Sequence, residues 1–189
     1  MRHAKPAATW GAEADPGLDA AGVEQAASAA RHLAGSLARL PVYTSPMRRC
    51  RETAEPLCKL WSCEASVLPV VSEIPAPPGD AAARRDWLIE AMRGTWRDIH
   101  ANALTGPVDY LAWRHSVLDG LRALSHDCVI YTHYVAINVA VGAAQERDDV
   151  ICFRPDHASV TVLAVDRHGL RLVELGREAE TAVLSGSRQ

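Results

Sequence analysis

The chain has 189 residues, 48% of them apolar and 23% charged, with a net charge of −3. That length suits one domain with a proper core, and the charge gives no electrostatic case for nucleic acid or a membrane surface. No stretch reaches the roughly 18 consecutive apolar residues of a bilayer span, and the N-terminus lacks an apolar signal-peptide run, so a cytoplasmic location is expected. The five cysteines are odd in number and irregularly spaced. Cys58 and Cys63 stand too far apart for a CxxC redox or zinc pair, which leaves free thiols of a reducing compartment.

Helical and strand-like patterns alternate along the chain, as in an α/β domain with a mainly parallel sheet. Residues 18–40 carry Ala and Leu at helical spacing, with Asp19 as the cap. Residues 41–43 form a short buried strand. Ser45 is expected to cap a second helix, with Pro46 at its first position. Residues 67–71 read as a further strand and 75–79 as a rigid loop. Residues 84–104 and 109–125 read as two amphipathic helices separated by Thr105-Gly106-Pro107. Their tryptophans Trp87, Trp96 and Trp113 are packing residues rather than ligand stackers. Residues 128–131 are a core strand and 135–144 a buried helix. Residues 159–165 and 170–173 form a closing hairpin turned at Asp166-Arg167-His168-Gly169. One domain is expected over residues 1–179, followed by a loose polar tail over 180–189.

Four segments carry the chemistry. The chain opens Met1-Arg2-His3-Ala4, and residues 45–54 read Ser-Pro-Met-Arg-Arg-Cys-Arg-Glu-Thr-Ala. Thr132-His133 follows the apolar strand, and Asp156-His157-Ala158-Ser159 precedes the hairpin. Arg2-His3-Ala4 resembles the Arg-His-Gly signature of the histidine phosphatase superfamily, the phosphoglycerate-mutase-like proteins. Residues 45–54 resemble that family's second signature, Ser-Pro-Leu-x-Arg-Ala-x-Gln-Thr-Ala. Residues 15–19 and 22–26 resemble its approach to the first helix. Thr132-His133 and residues 156–163 resemble its second-histidine and closing-strand segments. The resemblance runs from residue 2 to about residue 175. It implies a three-layer fold with a mainly parallel central sheet and helices on both faces.

The resemblance also implies metal-independent hydrolysis of a phosphomonoester through a phosphohistidine. Phosphoryl transfer needs a nucleophile, charge stabilisation on the equatorial oxygens and a proton for the leaving oxygen. His3 is the candidate nucleophile, as a neutral imidazole whose second ring nitrogen donates to a neighbour. Arg2 and Arg49 would clamp the phosphate, because guanidinium forks match phosphate oxygens bidentately. Spacing alone leaves Arg48 in competition; the family pattern singles out Arg49. His133 sits at a strand's carboxyl end, where open α/β sheets bind ligands, and in protonated form would stabilise the transferring phosphoryl group. Tyr134 and Val135 stand where many relatives have glycine, so the pocket wall should be bulkier and more apolar. Glu73 is the candidate general acid, with Asp80 and Asp86 as alternatives.

His32, His100, His115 and His168 read as structural or exposed. His157 lies just before the closing strand, where relatives often carry a polar residue near the site. No HxH or HExxH spacing occurs, nor a Walker or Gly-rich nucleotide loop, so no metal and no cofactor are expected. The expected partner is a small phosphorylated metabolite; a homodimer stays open. Phosphoglycerate-mutase-type transfer is the nearer alternative, disfavoured by the short run from Ala54 to Glu73. A phosphohistidine phosphatase acting on proteins is another. A non-catalytic phosphate-binding module is the rival from a different class. It rests on the start of the chain, where only Met1 precedes Arg2 and the family's first strand is expected to be missing.

Overall fold

The computed structural model describes residues 1–8, 13–103 and 108–179. The expected linker at 105–107 and the tail at 180–189 lie outside the described residues. Asp19 starts helix α1 (Ala20–Ser36) by accepting the Gly22 amide at 2.7 Å, which satisfies one of the free amides of a first turn. The chain then crosses to strand β1 (Val42–Thr44) and helix α2 (Arg48–Trp61).

The start of α2 differs from expectation. Met47, not Ser45, is the N-cap residue, and it makes no side-chain cap bond. Pro46 lies outside the helix. The cap comes instead from a distant segment: Asp15 Oδ1 accepts the Arg48 amide at 2.8 Å. Ser45 Oγ accepts the Met47 amide at 3.3 Å ahead of the helix and also meets His133.

After α2 come strand β2 (Ser66–Val67) and a 3₁₀ turn at Pro69–Val71. The strand expected over 67–71 is therefore cut short. Pro69 has no amide to give a ladder, and its fixed φ suits a turn. Three helices follow, α3 (Ala81–Ala91), α4 (Trp96–Ala103) and α5 (Tyr110–Arg122). The single helix expected over 84–104 is two. Thr95 and Asp98 exchange hydrogen bonds, Thr95 N to Asp98 Oδ2 at 2.9 Å and Asp98 N to Thr95 Oγ1 at 3.1 Å. That reciprocal cap starts a new helix.

Strand β3 (Val129–Tyr131) feeds helix α6 (Tyr134–Ala144). The three strands form a parallel sheet in the order β2-β1-β3, with Val42 opposite Val129 and Thr44 opposite Tyr131. Helices flank this sheet, giving an α/β fold. Residues 1–3 run beside the end of β3. Arg2 bridges Thr132 in parallel, and the Thr132 and His3 amides donate to the Met1 and Thr132 carbonyls at 2.9 Å each. On the other side, the Arg2 amide reaches Ser159 O at 3.1 Å.

Leu33, Leu57, Trp61 and Tyr131 share one apolar cluster under α1 and α2. Trp96, Tyr110, Val117 and Val139 share a second among α4, α5 and α6, with Trp87 and Trp113 against it. Burying each such large side chain contributes about 1.5–3 kcal/mol. The closing hairpin, β4 (Val162–Asp166) and β5 (Gly169–Glu174), is a separate antiparallel pair rather than part of the main sheet. Gly169 takes φ 120° at its turn, a conformation open mainly to glycine. No helix among the described residues is long and apolar enough to cross a membrane.

Candidate active site

The carboxyl ends of β1 and β3 and the start of residues 1–4 meet at one point. Tyr131 O accepts the Ser45 amide at 2.9 Å, so the residues after both strands leave the sheet side by side. Thr53 joins the first and second signature segments: its Oγ1 accepts the Ala4 amide at 3.0 Å and donates to Arg49 O at 2.6 Å. Around this point stand His3, Arg49 and His133, all buried, with Arg2, Glu73 and His157 at the edges.

His3 Nδ1 lies 2.8 Å from Ala4 O. A carbonyl only accepts, so Nδ1 carries the proton and Nε2 keeps the lone pair. Burial, reinforced by the positive charges of Arg2 and Arg49, holds this imidazole down to about 3. His3 is therefore neutral at physiological pH, the state a nucleophile needs.

His133 is the residue before α6 and is fully buried. Arg49 Nη2 donates to its Nδ1 at 3.2 Å. A guanidinium only donates, so Nδ1 is the acceptor and Nε2 bears the proton. That Nε2–H donates to Ser45 Oγ at 2.8 Å, with Cys50 Sγ beside it at 3.4 Å. Burial first, then the neighbouring His3 and Arg49, keep His133 well below its ordinary value. The free protein thus favours the neutral form of His133; the imidazolium expected from the sequence is its state against a phosphoryl group.

The two arginines are held differently. Arg49 is 7% exposed, and its Nη1 is 4.0 Å from Asp15 Oδ1. Arg48 points outward and pairs with Glu52 at 2.6 Å. Of the two, Arg49 is the one against His133 and Arg48 the one facing solvent. Arg2 donates to Pro155 O at 2.9 Å and lies 4.9 Å over the Tyr134 ring, a cation–π contact. Its buried Nε has no partner among the described residues.

Glu73 reaches the start of α6, where its Oε1 accepts the Ile74 and Val135 amides at 3.0 and 3.1 Å. Burial raises its carboxyl above the usual range, against the opposing pull of those amides and of Arg49 and Arg2. Asp80 uses its carboxylate to cap α3 by accepting the Ala83 amide, and Asp86 is exposed on the same helix. The His157 ring is 5.8 Å from His3 and is held down to about 4, chiefly by burial. His32, His100, His115 and His168 are all exposed. Among the described residues no group of three or more His, Cys, Asp or Glu could hold a metal ion.

Sequence reasoning assigned Ser45 to capping and missed it as the partner of His133. It also missed Asp15 as the group behind Arg49, and Cys50 against His133. Cys50 stands at an alanine position of the signature, and that departure was its only signal. Burial pushes its thiol up to about 12, so it is inert packing here.

Arg49 and His133 in contact, the His3 ring 5.3 Å from that of His133, and Arg2 at the edge make a cationic site whose His3 Nε2 has no hydrogen-bond partner among the described residues, an arrangement that can bind a phosphoryl group and accept it. Residues 1–178 match the histidine phosphatase superfamily, branch 1. The chain belongs to that superfamily. No curated protein sequence matches it. Solved structures share the fold. The alpha-ribazole phosphatase of Shigella flexneri superposes with a TM-score of 0.71 at 17% identity, covering 94% of each chain. The phosphoserine phosphatase of Entamoeba histolytica with 3-phosphoglyceric acid gives 0.67 at 18%, covering 93% of this chain and 94% of that one. A mycobacterial glucosyl-3-phosphoglycerate phosphatase gives 0.68 at 21%, covering 94% and 97%.

Proposed function

We propose that this protein is a metal-independent phosphatase that hydrolyses a small phosphomonoester through a phosphohistidine on His3. The observation that carries the reading is the His3 Nδ1–Ala4 O hydrogen bond, which leaves Nε2 unprotonated on a ring 5.3 Å from that of His133. Nε2 attacks phosphorus, the ester P–O bond breaks, and Glu73 gives its proton to the leaving oxygen. Water then attacks the phosphohistidine, losing a proton to Glu73, and inorganic phosphate leaves His3 neutral again.

Arg2 and Arg49 meet the negative charge on the equatorial oxygens. A phosphate dianion also offsets the neighbouring positive charges that, after burial, depress His133. In the complex Arg49 Nη2 turns from His133 Nδ1 to a phosphoryl oxygen, and the freed Nδ1, once protonated, donates to the phosphoryl group while Nε2–H stays on Ser45. Hydrolysis is preferred to a mutase reaction because the chain superposes over nearly its whole length on phosphatases. The test is an assay of the purified protein on a panel of phosphomonoesters, with and without EDTA. Turnover unaffected by the chelator is expected. Activity that EDTA removes and added metal restores would overturn the metal-free reading.

A further inference from the structure

The end of α2 brings together two cysteines that their sequence spacing kept apart. Cys63 N donates to Cys58 O at 3.0 Å, and Ser62 N to Lys59 O at 3.3 Å. Ser62 between them is left-handed, with φ 50° and ψ 52°. This is a Schellman turn, a helix ending in which the side chains three before the cap and two after it come into contact. The contact is usually between two apolar residues. Here both positions are thiols. Cys58 is buried and Cys63 is packed against the same cluster, partly exposed. Both line an open groove of about 860 Å³ between α2 and β2, with Arg51, Glu55 and Lys59 on its walls. The groove gives a small solute access to Cys63.

We propose that Cys58 and Cys63 form an oxidisable dithiol that closes to an intramolecular disulfide under a hydroperoxide. A disulfide needs Cα atoms about 4.4–6.8 Å apart, and a direct backbone hydrogen bond between the two residues holds them close. The sulfur of Cys63, the more exposed of the two groove-lining cysteines, attacks the peroxide oxygen. The O–O bond breaks, the leaving oxygen takes the thiol proton as water or an alcohol, and Cys63 becomes a sulfenic acid. The Cys58 sulfur then attacks the Cys63 sulfur. The S–O bond breaks, the hydroxyl leaves with the Cys58 proton as water, and the S–S bond forms. In sum, two thiols are oxidised by two electrons and one hydroperoxide is reduced. Burial and the adjacent Cys63 push Cys58 up to about 11, so Cys58 is the slower, resolving partner. The remaining cysteines have no such neighbour: Cys50 is sealed against His133, and Cys128 and Cys152 lie on other elements.

The experiment is treatment of the native protein with hydrogen peroxide, alkylation of the thiols that remain, and peptide mass mapping without reduction. The expected result is a Cys58–Cys63 cross-linked peptide, the loss of two of the five thiols, and recovery of both on adding dithiothreitol. Cys63→Ser should lose neither. That position is partly exposed and tolerates serine, so the readout survives even if Cys58→Ser unfolds the core. The proposal is overturned if all five thiols persist, if the cross-link uses Cys50, Cys128 or Cys152, or if Cys63 proceeds to sulfinic acid with Cys58 still free.

Discussion

Arg49 donates from Nη2 to His133 Nδ1 at 3.2 Å, joining two residues 84 positions apart in the chain. The bond fixes the His133 tautomer and holds the guanidinium against that ring, where the proposed function needs it. Arg49→Ala is expected to lower kcat by about 100–1000-fold, the usual cost of one oxyanion-stabilising donor. Arg49→Lys should lose nearly as much, since an ammonium cannot offer a fork. Arg48→Ala, on the solvent side in its pair with Glu52, should change activity by less than about threefold. Steady-state kinetics on one phosphomonoester decide it. Comparable losses at both positions would remove Arg49 from its special place.

Ser45 is the second prediction. Its hydroxyl accepts the His133 Nε2–H at 2.8 Å, so Ser45→Ala leaves a buried donor with only the weak acceptor Cys50 Sγ. The cost to stability should be about 1–3 kcal/mol. Activity should fall by up to about 100-fold as the ring loses its orientation. Ser45→Thr, which keeps the hydroxyl, should recover much of both. A helix-capping role alone would cost stability and leave kcat untouched.

Glu73 gives a leaving-group signature. If it supplies the proton, Glu73→Gln should hurt alkyl phosphates most, because their alkoxides are poor leaving groups. A nitrophenyl phosphate needs little protonation and should suffer less. Equal losses on both substrates would assign Glu73 to holding the Ile74 and Val135 amides only.

Stability should fall with acid in a defined window. Burial holds His3 down to about 3 and His157 to about 4, and depresses His133 as well. Between those values and the ordinary histidine range near 6.5, the unfolded chain binds protons that the folded one refuses. Stability therefore rises with pH across that window and is lost on the way down. Glu73, raised by burial, pulls the other way, but it is one group against three. The melting temperature should drop steadily from about pH 6.5 to about pH 4. A melting temperature flat over that range would contradict the buried-neutral histidines.

Much of this site was legible because its residues follow apolar strands. Residues 128–131 are a run of core type, and such a strand in an α/β chain ends at the ligand edge of the sheet, which placed His133. What stayed illegible depends on residues that return from afar. The cap of α2 comes from Asp15, 33 positions before Arg48, and no local pattern announces it. Ser45 looked like that cap because serine-proline before a helix usually is one. The break between α3 and α4 was readable: Thr95 and Asp98 have capping-box spacing, but the continuous amphipathic pattern over 84–104 masked it. Spacing could not separate Arg48 from Arg49, since adjacent helix positions differ only in which way they face; the family pattern pointed to Arg49, and the fold buries Arg49 and exposes Arg48.

The covalent intermediate is the most direct test. The protein would be mixed with a radiolabelled, fast-reacting phosphomonoester, quenched in base within the first turnover, and mapped by peptide analysis. Phosphate on His3 that survives base and is released by acid, and that disappears in a folded His3→Ala variant, is the expected result. Label on a serine or cysteine, or unchanged label in His3→Ala, would contradict nucleophilic catalysis by His3.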